Sequence, residues 1–423
     1  MNRNLTENAS QRLRCTFLKI VLYEHVSSGG YAEKPIPQNV LSEGFGMLRS
    51  IALDLKSAGH EVTVLLDARI SKLNPQIEAD YTVPIFYAKE PQKFLQSIAK
   101  INDAIYIVAP ETDGILQSLV ELIEGTGKVS LNCESKTIAK VTDKTALYKK
   151  LLNLGVAPKT IILNTTDNLG KTKQNIKNAL NYPLVLKPAD GVSCSGLSLV
   201  KKEIQLERAR EKIKTESRSE RFVAQEFVEG EDASVSLLCN GEKAVAFSLN
   251  KQNVTLAEPD GISRYDGGSV PFDHQLKQEA YRAAERVVES IAGLRGYVGV
   301  DLILTQEKIF VVDVNPRLTT SYVGLRRVAG FNVAEAIVSA VLKGSLPTKL
   351  ATNRYACFSK IDTKKPSVTA FHKAAHLGNV VSPPFPLNDS TYASSLVLGE
   401  GENLRDANLL LEEAKKSLLN IIS

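Results

Sequence analysis

The chain has 423 residues, 43% of them hydrophobic and 23% charged, with a net charge of +5 and no tryptophan. That length suits two or three domains rather than one core. The mild, dispersed positive charge gives no basis for nucleic-acid binding, and no apolar run approaches a membrane span. Residues 1–15 are polar and lack an apolar segment, so they read as a flexible leader, not a secretion signal. Cys15, Cys133, Cys194, Cys239 and Cys357 are scattered, without CxxC spacing. This argues for reduced thiols in a cytoplasmic protein and against a zinc site.

Residues 16–127 alternate between strand and helix patterns. TFLKIVLY (16–23) reads as a buried strand, followed by a loop carrying SSGG and two prolines. Helical spacing follows over 48–55, with strands at 62–66 and 81–86, a helix at 93–101, a strand at 104–108 and a helix at 115–123. Such alternation predicts a parallel sheet with helices on both faces. Ligands bind at the carboxyl ends of such strands, which selects the loops holding Glu24 and Glu111 as candidate substrate contacts.

DKTALYKKLLNL (143–154) has the spacing of an amphipathic helix begun by Asp143 and closed by Gly155. YPLVLK (182–187) reads as a strand, then the small-residue loop ADGVSCSG (189–196), then a return strand. A Gly/Ser loop between strands offers backbone N–H groups to phosphates. Lys187 is an ammonium on a strand otherwise built for burial, and calls for an anionic partner. In FVAQEFVEGEDASVSLLC (222–239) two strands flank a bend at Glu229-Gly230. The polar stretch 251–274 is expected to be a long loop covering the substrate, with Arg264 and Gly268 as candidate contacts. Further on, 346–423 reads as a small appended lobe ending in an amphipathic helix over 404–421.

The densest signal is YVGVDLILTQEKIFVVDVNPRLTTS (297–321), two apolar strands joined by a short break. Alternation puts Asp313 and Asn315 on one face, and hairpin pairing brings Asp301 to it. Two carboxylates on one apolar sheet face call for a cation, and an oxygen-only set suits Mg²⁺. Arg317 is placed to stabilise a transferring phosphoryl group.

The run D-L-I-L…V-D-V-N-P-R-L-T-T-S resembles the metal-binding end of the ATP-grasp superfamily. Within it the chain looks most like the tyramine–glutamate ligases of methanofuran biosynthesis, on LYEHVSSGG, SEGFGML, APETDGIL, QEFVEGEDASVSLL, SLNKQ and GLRGYVGVDLIL…DVNPRLTTSYVGL. The resemblance implies a mixed α/β and α+β chain: a pre-ATP-grasp, Rossmann-like parallel sheet (16–127), a two-lobed ATP-grasp fold (128–345) and a C-terminal appendage (346–423). It implies ATP and two Mg²⁺ ions, with Mn²⁺ as the alternative metal, on Asp301, Asp313 and Asn315. The family usually has Glu at the position of Asp313, which is one methylene shorter. Lys144, Lys187, Ser193, Ser195 and Gly196 are implied phosphate contacts. Glu226, Phe227 and Val228 are implied adenine contacts, and Asp232, rather than Glu231, the ribose acid. Lys187 and Arg317 are implied catalytic residues. The implied reaction joins a small-molecule carboxylate to an amine through an acyl phosphate, with ADP and phosphate released. A homodimer is the expected assembly, with no nucleic-acid or membrane partner. The rival readings are an enzyme making carbamoyl phosphate or carboxylating its substrate by the same activation, and a nucleotide-binding sensor that has lost turnover.

Overall fold

The computed structural model describes residues 17–87, 90–190, 195–348, 352–388 and 390–423; the leader 1–15, Ser193 and Cys194 lie outside them. Five strands, β1 (Lys19–Glu24), β2 (Glu61–Asp67), β3 (Tyr81–Ile85), β4 (Ala104–Val108) and β5 (Val129–Ser130), form a parallel sheet in the order β3-β2-β1-β4-β5. β4 is buried throughout, as a central parallel strand between two helical layers must be. The order reverses between β1 and β4, so the crevice at their carboxyl ends is a switch point. Glu24 is the last residue of β1, and Glu111 lies three residues beyond β4.

Helix Gln38–Ser57 is longer than its apolar spacing suggested, starting ten residues before 48, inside the expected loop. Pro37 precedes it in extended geometry, and its first turns bury Gln38, Leu41, Ser42 and Phe45. The polar members of that set hid the start. The SSGG turn is packed: Ser28 donates to Leu65 O at 2.5 Å, and the His25 N–H donates to Val108 O.

The next strands, β6 (Thr160–Asn164), β7 (Leu184–Pro188), β8 (Ser198–Val200) and β9 (Arg221–Glu226), form an antiparallel sheet in the order β6-β9-β7-β8. This sheet and its two helices have a core of their own, built on Ile176, Leu184, Leu186, Ile213 and Phe222. An eight-stranded antiparallel sheet completes the fold. It comprises β10 (Glu231–Asn240), β11 (Ala244–Thr255), β12 (Arg264–Val270), β13 (Arg295–Leu304), β14 (Ile309–Asn315), β15 (Tyr355–Lys364), β16 (Val380–Ser382) and β17 (Tyr392–Gly401), in the order β14-β13-β10-β11-β12-β15-β17-β16.

Half of the expected long loop over 251–274 is strand. β11 runs on to Thr255 and β12 begins at Arg264, leaving 256–263 as the connection. Glycines and charges concealed β12. Gly268 packs so tightly that a Cβ would sit 2.0 Å from Lys251 O, and Gly267, at φ +124°, is equally close to Phe358. Beyond residue 346, β15 pairs with β12, so the C-terminal strands continue the same sheet. Among the described residues no helix is long and apolar enough to cross a membrane.

Candidate active site

The three sheets border one cleft of about 1260 Å³. Its floor is the β13–β14 hairpin. Asp301 pairs directly with Asp313 across the ladder, and Gly299 with Asn315, so all three oxygen-bearing side chains share a face. Asn315 Nδ2 donates to Asp301 Oδ2 at 2.9 Å, and Gln252 Nε2 donates to Asp301 Oδ1 at 3.0 Å. Burial, then the neighbouring Asp313, pushes the Asp301 carboxyl up to about 6. Two acids in one buried register favour a cation between them. Among the described residues no three His, Cys, Asp or Glu side chains converge as a metal site. The donor set is two carboxylates and one amide, which fits Mg²⁺ completed by substrate phosphates.

Two lysines reach the hairpin. Asp143 caps helix Lys144–Asn153 by accepting from the Thr145 and Ala146 N–H groups, which sets Lys144 at the first helical position. Lys144 Nζ lies 2.5 Å from Asp313 Oδ2. Burial opposes its charge, but the Asp313 carboxylate, together with Glu111 and Asp301, outweighs that and raises its pKa. Lys187, on β7, donates to Val312 O at 3.2 Å. Burial, and then Lys144, lower its pKa to about 8. Each additional anion in the cleft would favour its ammonium form.

The other expected nucleotide contacts are partly assembled. Glu226, Phe227 and Val228 line the cleft where β9 leaves its sheet. The Glu226 carboxylate accepts from the Lys159 N–H at 2.6 Å. Asp232 and Ser234 face the cleft from β10, opposite Ile303 and Asp301. Glu231 pairs instead with Lys251 at 2.9 Å and His274 at 3.5 Å. Alternation along β10 thus separates the two acids. Burial raises the Asp232 carboxyl to about 6. Ser195 lines the cleft, but the Gly196 N–H is bound by Glu216 at 2.6 Å. Ser193 lies outside the described residues.

Across the cleft stand residues from the parallel sheet. Arg317 Nε donates to Glu111 Oε1 at 2.9 Å, joining the hairpin's end to the loop after β4. Glu24 is buried and accepts from Val26 N, Ser27 N and Ser27 Oγ, at 3.1, 2.8 and 2.6 Å. Burial raises its pKa. Arg264 lines the cleft at an exposed position; Gly268 does not, being taken up in the β11–β12–β15 ladder.

Sequence reasoning gave no role to Gln252, Glu43, Thr320 and Lys360, which line the cleft. Lys360, on β15, lies 2.7 Å from Glu43, whose other oxygen accepts from Thr320 at 2.7 Å. Gln252 and Glu43 fall within the stretches SLNKQ and SEGFGML, which marked them as part of a pattern without a role. Nothing local marks Lys360. Cys133, Cys239 and Cys357 are buried, and burial raises the thiols of Cys133 and Cys357 to about 12 and 11, so these are not nucleophiles.

A hairpin with two carboxylates and an amide on one face, met by Lys144 and Lys187 beneath a three-sheet cleft, has the layout of an enzyme that activates its substrate with a nucleoside triphosphate. The ATP-grasp domain model matches residues 141–321 and the pre ATP-grasp 3 domain model residues 60–138. The chain is 30% identical to the tyramine–L-glutamate ligase of Methanocaldococcus fervens, over 73% of this chain and 89% of that protein. It is 29% identical to the protein of that name from Methanocaldococcus jannaschii, over 73% and 84%. An ATP-grasp superfamily protein from Archaeoglobus fulgidus superposes with a TM-score of 0.60 at 25% identity, covering 90% of this chain and 99% of that one. The chain belongs to the ATP-grasp family. It is an ATP-dependent ligase of the kind that joins a carboxylate to an amine.

Proposed function

We propose that the enzyme phosphorylates the carboxylate of a small amino acid, glutamate being the first candidate, and passes the acyl group to a primary amine such as tyramine. The observation that carries this reading is the register of the hairpin: Asp301 opposite Asp313, Asn315 bonded to Asp301, and Lys144 2.5 Å from Asp313. Asp301, Asp313 and Asn315 would hold two Mg²⁺ ions, with Mn²⁺ as a substitute. Bound metal supplies charge neutralisation at the γ-phosphate. Lys144 and Lys187 orient the phosphates, and Ser195 and Gly196 belong to the loop that covers them. Glu226, Phe227 and Val228 cradle adenine, and Asp232 receives the ribose hydroxyls. Arg317 meets charge developing on the transferred phosphoryl group and on the acyl carbon's oxygen. Glu24 and Glu111 form the substrate side of the cleft, with Arg264 at its rim. The enzyme acts in the cytoplasm, as a homodimer.

The experiment is ADP release from ATP, Mg²⁺ and glutamate, with and without tyramine and a panel of other amines, for the wild type and Asn315→Ala. ADP that requires an amine and disappears in Asn315→Ala supports the reading. ADP that requires bicarbonate instead assigns a carboxylating or carbamoyl-phosphate chemistry, and tight ATP binding without turnover assigns a sensor.

A further inference from the structure

Three glutamates stand on the cleft wall contributed by the parallel sheet and its first helix: Glu24, Glu43 and Glu111. Two are spent. Both oxygens of Glu24 accept from the turn that follows it. Both oxygens of Glu43 are taken, by Lys360 and Thr320. Glu111 differs. Its Oε1 holds Arg317, while Oε2 has no hydrogen-bond partner among the described residues, although the residue is only 7% exposed. A buried carboxylate oxygen left unbonded forfeits its hydration with nothing in return, so a site that keeps one has a use for a donor there. Lys144 feels the Glu111 charge but is held by Asp313. Arg317 is held by Glu111 Oε1 and Leu318 O. With both neighbouring cations committed, the donor is left to a water or to a molecule bound in the cleft, which Glu111 lines.

Resting on the ligase reading above, we infer that Glu111 Oε2 receives the ammonium of the amine substrate and takes its first proton. The position suits the chemistry. Glu111 sits at the switch-point crevice, and its other oxygen fixes the arginine that faces the acyl phosphate. The amine is thereby delivered beside the carbon it attacks. Bound as R–NH₃⁺, it passes one proton to Glu111 and attacks with the freed lone pair. The C–N bond forms, the bond from acyl carbon to phosphate oxygen breaks, and the second proton leaves with phosphate as HPO₄²⁻. One H⁺ returns from Glu111 to solvent. The substrate class is thus a primary amine charged at neutral pH, and Glu111 is a catalytic residue for transfer rather than for activation.

The test separates transfer from activation. The full chain is given ATP, Mg²⁺ and glutamate with hydroxylamine, which is uncharged at neutral pH and reports the acyl phosphate as hydroxamate. It is then given primary amines of falling basicity, from tyramine to 2,2,2-trifluoroethylamine. Glu111→Gln is expected to slow amide formation with tyramine by about 100-fold. Its defect shrinks steadily along the amine series, and hydroxamate formation falls by less than about 10-fold. Glu111→Asp, which keeps the charge, recovers part of the amide rate. Equal loss of hydroxamate and of every amide, with ATP binding intact, would mean that Glu111 only positions Arg317, and overturns this inference alone. A Glu111→Asp variant as deficient as Glu111→Gln also counts against it. Wild type that forms hydroxamate but no amide with any amine removes the ligase reading and this inference together.

Discussion

On the hairpin side of the cleft, the cations Lys144 and Lys187 lie among acids they can exchange for phosphate. On the parallel-sheet side, Glu24, Glu43 and Glu111 surround Arg317 and Lys360. On the function proposed above, the hairpin side takes a polyanion whose charge shifts during reaction. The opposite side, an anionic wall whose cations are already paired, takes a cationic substrate. Opposed fields across one cleft would then orient the two substrates before any specific contact forms. If the division is real, lesions on the two sides must differ in kind as well as in size.

The largest effect belongs to the hairpin. Asp301→Asn removes one of the two partly buried carboxylates of the hairpin and is expected to lower ADP formation on the order of 10³-fold with any amine or with hydroxylamine. Retained hydroxamate formation in this variant would break the comparison. Next comes Lys187→Met, which keeps the apolar stem and removes the charge. Turnover should fall on the order of 10²-fold with a raised KM for ATP and an unchanged KM for the amine, measured by initial-rate kinetics.

The opposite wall is reached through its packing. Helix Gln38–Ser57 passes so close to Glu24 that a Cβ on Gly44 would lie 2.5 Å from its carboxylate. Gly44→Ala therefore costs about 1–3 kcal/mol of stability by overpacking, read as a lowered Tm. At a temperature where it is folded, its kinetic defect should fall on the amine and not on ATP. The smallest effect is at Asp232. Its carboxyl, ordinarily at 3.8, is raised to about 6 by burial, so the folded state loses stability as pH rises through that window. Asp232→Asn removes the burdened charge. It should raise Tm by about 1–2 °C at pH 7, the half-exposed position screening part of the shift, and leave it unchanged below pH 3.8. The same variant should weaken ATP binding, measured by calorimetry, if the acid serves the ribose.

The floor of the site was legible because its information is local. Period-two alternation alone puts Asp313 and Asn315 on one face, and a short break between apolar runs brings Asp301 opposite them. Asp232 was preferred to Glu231 on the spacing of the resembling family, and the structure puts the two on opposite faces of β10; the Asp143 cap places Lys144 at the helix start. The strand β12 was misread for an equally physical reason. RYDGGSV has the composition of a loop, and only pairing on both sides, with β11 and β15, makes a strand of it. Gly268 marked close backbone packing rather than a ligand.

By itself the sequence determined the alternating parallel sheet, the hairpin with its oxygen set on one face, and the capped helix that begins at Lys144, because periodicity and capping act over a few residues; the phosphate role of Lys144 came from the family resemblance. Tertiary structure decided what stands opposite. Glu111 meets Arg317 across 206 positions, and Glu43 meets Lys360 across 317. Such pairs exist only once the parallel sheet and the eight-stranded sheet close on one cleft. Whether an acid there is spent or open depends on every neighbour that the fold brings to it.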